Sequence, residues 1–331
     1  MRPLLRTIRT GPFRLDDGTE LPEVEQAFTL HGEVDARGSN VVIVLHALTG
    51  DPHVQRWWPD VVGPGRALDT DRWAVVCPGL IGSPYGTTRP PAGAQVTPRD
   101  MARLTIRLTA ALGAPRPALV TGGSLGGMVA LEWAASDPRA SEAVVVFAAP
   151  GAQPPSAIGA GHVQRRALEI GGRDGLALAR MAAMLTYRTD RELDDRFGRR
   201  RRIDGRFEMQ SWLDHHGRSF VDRFDAESYG TLLDAMDAHD VAAGRGSVAA
   251  ALASFEGLLV GVGVPGDVLY SDESVRDWVA AAGAEYEAIH SIRGHDAFLL
   301  ETDQVARILG GALERVSADG ARAAVRAEGV S

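Results

Sequence analysis

Lysine is absent from this chain. All 35 basic residues among its 331 are arginine. A phosphate-binding loop ending in Gly-Lys-Ser/Thr is therefore excluded, as are Schiff-base and pyridoxal-lysine chemistry. Cysteine is nearly absent as well. Cys77 stands alone, so no internal disulfide can form, and a reducing, cytoplasmic setting is expected. No apolar run reaches the roughly 20 residues that a membrane-spanning helix needs, and Met1–Arg6 has no long apolar core of the signal-peptide kind. Positive charge is in deficit, with a net charge of −8, which argues against nucleic acid as the main partner. No His-Glu-x-x-His or cysteine pair occurs, and the adjacent His215 and His216 cannot easily grip one ion, so no metal site is expected.

What the chain does have is a set of short apolar runs. Glu25–Leu30, Val41–Leu45, Trp73–Cys77, Ala118–Thr121, Ala143–Phe147, Leu258–Val264 and Tyr286–His290 read as strands, with Phe13–Leu15 before a turn at Asp16-Asp17-Gly18. Helical stretches lie between most of them, clearest at Arg99–Leu112 and Leu125–Ala135. Alternation of this kind implies a parallel α/β sheet. It stops after Pro150. Val163–Ile170, Gly175–Thr186, Arg206–Phe224 and Tyr229–Ala238 all read as helices, with no convincing strand from about 155 to 250. The economical division is a core of 1–154 and 251–331 interrupted by a helical lid, 155–250. The Ala/Arg-rich tail after Val316 reads as a frayed helix or disordered.

One run joins these elements to chemistry. Gly122-Gly123-Ser124-Leu125-Gly126-Gly127 follows an apolar strand and precedes a helix. It fits the G-x-S-x-G nucleophile elbow, in which small neighbours let strand and helix close on a strained serine. The dinucleotide fingerprint does not fit, because Ser124 or Leu125 falls where its second glycine should be. A serine nucleophile needs a base, and the base an orienting carboxylate, in the order Ser, acid, His for an α/β-hydrolase. Asp267 follows the strand Leu258–Val264 across Pro265-Gly266; Asp272 is its rival, farther from the strand end. His295 lies in a loop after the last strand, with a helix following; His290 is its rival, at or within that strand. Two backbone N–H groups are needed for the oxyanion. Leu125 should supply one. Leu48, in His46-Ala47-Leu48-Thr49-Gly50, should supply the other, with the His46 side chain structural.

With these residues in place the chain resembles the homoserine O-acetyltransferase family of α/β-hydrolase-fold acyltransferases, over residues of about 12 to 312. The resemblance is carried by His46-Ala47-Leu48-Thr49-Gly50-Asp51, Val62-Gly63-Pro64-Gly65, the serine run with Leu131-Glu132-Trp133, Leu185-Thr186-Tyr187-Arg188, Arg223-Phe224-Asp225, Ala235-Met236-Asp237 and Gly294-His295-Asp296-Ala297-Phe298-Leu299. The family's Asp-x-Leu-Tyr pattern matches Asp267-Val268-Leu269-Tyr270 and so selects Asp267 over Asp272. The resemblance implies the α/β-hydrolase fold, acyl transfer from acetyl-CoA through Ser124 to L-homoserine in methionine biosynthesis, no cofactor beyond acyl-CoA as a substrate, and a homodimer. It places Arg180 and Tyr187 in the acceptor pocket. Arg180 could clamp the acceptor carboxylate, and Asp296, beside the base, could hold its ammonium.

Succinyl-CoA as donor, serine as acceptor, and an esterase using the same three residues stay open as alternatives. Gly79-Leu80-Ile81-Gly82-Ser83 stands where the family commonly has Asn-Val-Leu-Gly-Gly, and Gly161 replaces a common Asn; both bear on acyl and acceptor specificity. Arg199–Arg202 reads first as an exposed lid loop, and second as an attractor of CoA phosphates.

Overall fold

The computed structural model describes residues 4–328. Its strands are β1 (Arg6–Arg9), β2 (Phe13–Arg14), β3 (Glu20–Leu21), β4 (Glu25–His31), β5 (Val41–Leu45), β6 (Ala74–Pro78), β7 (Leu119–Gly123), β8 (Ala143–Phe147), β9 (Leu258–Gly263) and β10 (Glu285–Ala288). Eight form one sheet, ordered β1-β4-β6-β5-β7-β8-β9-β10, and β2 and β3 pair separately around the Asp16–Gly18 turn. From β6 to β10 every neighbouring pair is parallel; β4 and β1 extend the sheet antiparallel.

The central strands are buried on both faces, which is why they read as unbroken apolar runs. Alternation still sorts their side chains. Val41, Ile43 and Leu45 face one core layer, with Met101, Leu104 and Leu108 of α1 (Pro98–Ala111) and Met128 and Leu131 of α2 (Leu125–Ala134). Val42 and Val44 face the other layer, with Trp58 and with Val305, Leu309 and Leu313 of the last helix.

Between β8 and β9 the chain makes no strand. It forms α3 (Pro155–Ile170), α4 (Gly172–Thr186), α5 (Asp190–Arg196), α6 (Glu208–Phe220), α7 (Ala226–Asp237) and α8 (Val248–Leu252). Gly171 and Gly172, both at positive φ (90° and 62°), turn α3 directly into α4, as two left-handed positions without a Cβ can. Arg89 joins the core to this block through Asp225, at 2.6 Å. After β9 come α9 (Asp272–Ala282), α10 (Ala297–Leu300) and α11 (Thr302–Glu328). The tail beyond Val316 therefore continues α11 as helix, and β10 ends before His290 rather than including it.

Candidate active site

Strand order reverses around β5, which has β6 on one side and β7 on the other. In open α/β sheets ligands bind outside the carboxyl ends of the strands at such a point. The loop 46–50 leaves β5 there, and Ser124 leaves β7 beside it, with Leu45 paired to Gly122.

Ser124 has φ 57° and ψ −124°, a conformation that costs a residue with a Cβ about 1–3 kcal/mol. The strain is held by packing. A Cβ on Gly122 would lie 2.6 Å from the Gly126 carbonyl oxygen, and one on Gly126 would lie 2.1 Å from that of Leu45. The Ser124 N–H donates to Phe147 O at 3.0 Å. Leu125 is the first residue of α2, where an N–H has no acceptor within its own helix.

Asp267 and His295 meet. His295 Nδ1 lies 2.7 Å from Asp267 Oδ2, with both side chains buried. Asp267 Oδ1 accepts the N–H groups of Leu269 (2.8 Å) and Tyr270 (3.1 Å), which lock the carboxylate. Burial of the ring opposes its charge, but the charge and hydrogen bond of Asp267, with the charge of Asp296 behind them, hold the His295 pKa above its ordinary value. His295 Nε2 is buried with no partner, so no hydrogen bond joins it to Ser124 in this resting arrangement; such bonds often tighten only when substrate is bound. Phe298 connects the two sides. Its ring stands 5.7 Å from His295 and packs where a Gly123 side chain would be.

The rivals lie elsewhere. Asp272 pairs with Arg276 and accepts from Tyr286 at the start of α9. His290 is exposed, its backbone held by Gln304.

His46 does more than fill space. Leu80 N–H donates to its Nε2 at 3.2 Å, so Nδ1 carries the proton and donates to Ala47 O at 2.8 Å. Burial lowers its pKa and keeps it neutral. In a trans peptide the carbonyl and the following N–H point oppositely. Anchoring Ala47 O on the ring thus turns Leu48 N–H the other way, and no protein acceptor takes it among the described residues. The tautomer is the part that sequence could not reveal.

Arg180 reaches from α4 to Thr49 Oγ1 (3.3 Å) and lies over Tyr187 (5.5 Å) and Phe220 (5.3 Å). No carboxylate pairs with it among the described residues. The Tyr187 ring is 5.7 Å from His295, and burial pushes its phenol pKa up. Asp296 is beside the base as expected, but its Oδ2 holds Arg188 at 2.9 Å, and Arg188 also binds Glu192 at 2.8 Å. This buried network was missed. Arg188 with Glu192 four residues later is the only part of it visible in the sequence. Among the described residues no group of three or more His, Cys, Asp or Glu is placed to hold a metal ion.

A narrow cavity of about 20 Å³ lies between Leu48, Tyr187, Tyr270 and the α3–α7 wall, where Gly161 and Asp237 face each other.

Comparison with known proteins decides the family. The homoserine O-acetyltransferase of Moorella thermoacetica is 37% identical, across 92% of this chain and 94% of that one. That of Salinibacter ruber is 39% identical, across 90% and 94%. This chain belongs to the homoserine O-acetyltransferase family. A family model described as the alpha/beta hydrolase fold matches residues 40–170. The crystal structure of the Staphylococcus aureus homoserine O-acetyltransferase superposes with a TM-score of 0.82 at 28% identity, covering 94% of this chain and 95% of that one. The family's fold is the one described above, a mostly parallel sheet flanked by helices. No helix among the described residues is long and apolar enough to cross a membrane.

Proposed function

We propose that this homoserine O-acetyltransferase family member moves an acetyl group from acetyl-CoA to the hydroxyl of L-homoserine, a step of methionine biosynthesis. Ser124 Oγ attacks the thioester carbonyl while His295 Nε2 accepts its proton. The oxyanion is held by the N–H groups of Leu48 and Leu125. Collapse breaks the C–S bond, and His295 returns the proton to the leaving thiol. The homoserine hydroxyl then gives its proton to His295 and attacks the acyl-serine, releasing O-acetyl-L-homoserine and regenerating Ser124. Asp267 orients the ring throughout. No cofactor takes part beyond acyl-CoA as substrate.

Arg180 carries the choice of transfer over hydrolysis. It is a half-buried guanidinium without a carboxylate partner, beside the loop that supplies Leu48. Such a group suits the acceptor's carboxylate in bidentate fashion, with Tyr187 packed beneath it. Asp296 keeps one oxygen for the ammonium. The block 155–250 acts as a lid that excludes water from the acyl-enzyme.

The reading includes a cytoplasmic homodimer. Val163 and Ile170 on α3 and Leu178 and Leu185 on α4 are all exposed, each pair seven residues apart and so on one helix face. The test is thiol release from acetyl-CoA with homoserine, serine or no amino acid. Steady turnover is expected only with homoserine, in a parallel-line pattern when both substrates vary. Equal turnover without an amino acid would identify a hydrolase instead, and Ser124→Ala should abolish turnover with the fold intact.

A further inference from the structure

The segment from Arg196 to Arg218 is the most basic of this acidic chain, with seven arginines against three carboxylates. It is not a loose tail. Arg202 N donates to Arg206 O at 2.9 Å and Gly205 N to Arg202 O at 3.0 Å, and Arg201 bridges to Phe207, so the run Arg199–Arg202 turns tightly back on itself. Gly205, at φ 82°, makes that turn possible. Between the turn and α6 lies an open cavity of about 580 Å³, a size suited to a small-molecule ligand. Its wall includes Arg202, Arg206, Arg218 and the indole of Trp212, together with two carboxylates, Asp204 and Glu208, the latter paired with Arg200.

The arginines of this region are not equivalent. Arg200 is paired with Glu208 at 2.9 Å, Arg206 is paired with Asp214, and Arg201 lies 3.9 Å over the Phe207 ring. The side chains of Arg202 and Arg218 are exposed and have no ion pair or hydrogen bond among the described residues. Two unpaired guanidinium groups, beside an indole that also contacts Arg196, Phe197 and His216, make an arrangement for phosphates with a flat ring along the indole.

One aromatic contact leads from the cavity wall along the helix that faces Arg180. Trp212 is 4.6 Å from His216, one turn along α6. Burial, then the positive charges of Arg180, Arg188 and Arg196, lower the His216 pKa to about 4. His216 thus touches the cavity wall through Trp212 and feels the charge of the arginine that reaches Thr49.

We propose that this cavity binds the phosphorylated nucleotide end of the acyl donor, with Arg202 and Arg218 on phosphate oxygens and Trp212 against the adenine. The proposal rests on the acetyl-CoA reading. A donor with several negative charges approaches a protein of net charge −8, so a local positive site must offset the general repulsion.

The test compares acetyl-CoA with S-acetylpantetheine, which lacks the nucleotide, in the wild type and in the double variant Arg202→Ala/Arg218→Ala. Both positions are exposed. The ratio of kcat/KM for the two donors should fall at least tenfold in the variant; an unchanged ratio overturns the proposal. Calorimetric titration with adenosine 3′,5′-bisphosphate is independent of turnover. Binding to the wild type and at least tenfold weaker binding to the variant are expected, and equal affinity or no wild-type binding overturns the site. If neither donor is turned over but the variant still loses the bisphosphate, the acetyl-CoA reading fails and the nucleotide site stands.

Discussion

Replacing Gly126 by alanine places a methyl group 2.1 Å from the carbonyl oxygen of Leu45 and 3.0 Å from that of His46. Two effects then compete. Within a helix, alanine is favoured over glycine by about 1 kcal/mol. Against this, a carbon and a backbone oxygen cannot approach within ordinary contact distance at that position, so β5 or α2 must move by roughly 1 Å. Overpacking of this kind costs about 1–3 kcal/mol. The clash wins on stability, narrowly. It wins by far more on rate, because the atoms that must move are the end of β5, which leads to Leu48, and the first turn of α2, which carries Leu125 and follows Ser124. A displacement near 1 Å in a reacting constellation costs about 100-fold.

The control is Gly310→Ala in α11, where an added Cβ meets nothing within 4 Å. There the propensity gain of about 1 kcal/mol should appear alone. The assay is acetyl-CoA turnover with homoserine, together with urea denaturation, for both variants. Gly126→Ala should lose about two orders of magnitude in kcat with a modestly lowered midpoint, and Gly310→Ala should keep its kcat and gain stability. A Gly126→Ala enzyme within twofold of wild-type kcat would refute the account of the elbow.

Further outcomes follow from other sites. Ser124→Gly should abolish transfer yet raise stability by about 1–2 kcal/mol, because glycine accepts φ 57° and ψ −124° freely; an unchanged denaturation midpoint would remove the strain argument. Arg180→Ala should raise the KM for homoserine about tenfold or more, the size of a lost charge-assisted pair, while the acetyl-CoA half-reaction persists; unaltered homoserine dependence would refute its role. The acid limb of kcat should lie above pH 6.5, because Asp267 and Asp296 outweigh burial at His295; a limb below pH 6 contradicts this. Burial first, and then the Asp16 charge, raise the Asp100 pKa from 3.8 to about 6. The native state then holds that proton more tightly than the unfolded chain, so this group's contribution to stability falls as pH rises between those values, by roughly 3 kcal/mol in total. Asp100→Asn should flatten that slope in denaturation curves at pH 4.5 and 7.

The central strands and the serine turn were legible because each depends on local composition. A doubly buried strand must be apolar along its whole length, and an elbow must have glycines where backbones touch. The segments that escaped reading depend on distant partners. β1, Arg-Thr-Ile-Arg, is mostly exposed and owes its strand form to pairing with β4 rather than to its own side chains. β10, with Glu285 and Glu287 beside partly buried residues, ends where β9 ends and not where its apolar character fades. Arg188 looks like any surface arginine until Asp296, 108 positions away, arrives to neutralise it. Asp267 and His295 could be chosen only by order and position, since their 2.7 Å contact is made by two loops on separate strand ends.

The two arginines flanking Tyr187 explain why such a site could refuse water. Arg188 is buried between Glu192 and Asp296, so its charge is consumed by the protein and it fixes the strand-end loop that carries His295. Arg180, seven residues before Tyr187, has the Thr49 hydroxyl, the Tyr187 phenol and two aromatic faces about it, and no carboxylate among the described residues. A guanidinium left in that state is stabilised most by an incoming carboxylate. A charge-assisted hydrogen bond contributes about 1.5–3 kcal/mol, and water offers no equivalent. In the proposed reaction the acceptor that satisfies Arg180 would also bring an ammonium to the Asp296 oxygen not bound by Arg188 and a hydroxyl toward His295. On the proposed function, discrimination between transfer and hydrolysis would lie in which arginine the protein leaves unpaired, while Ser124, Asp267 and His295 would serve either reaction.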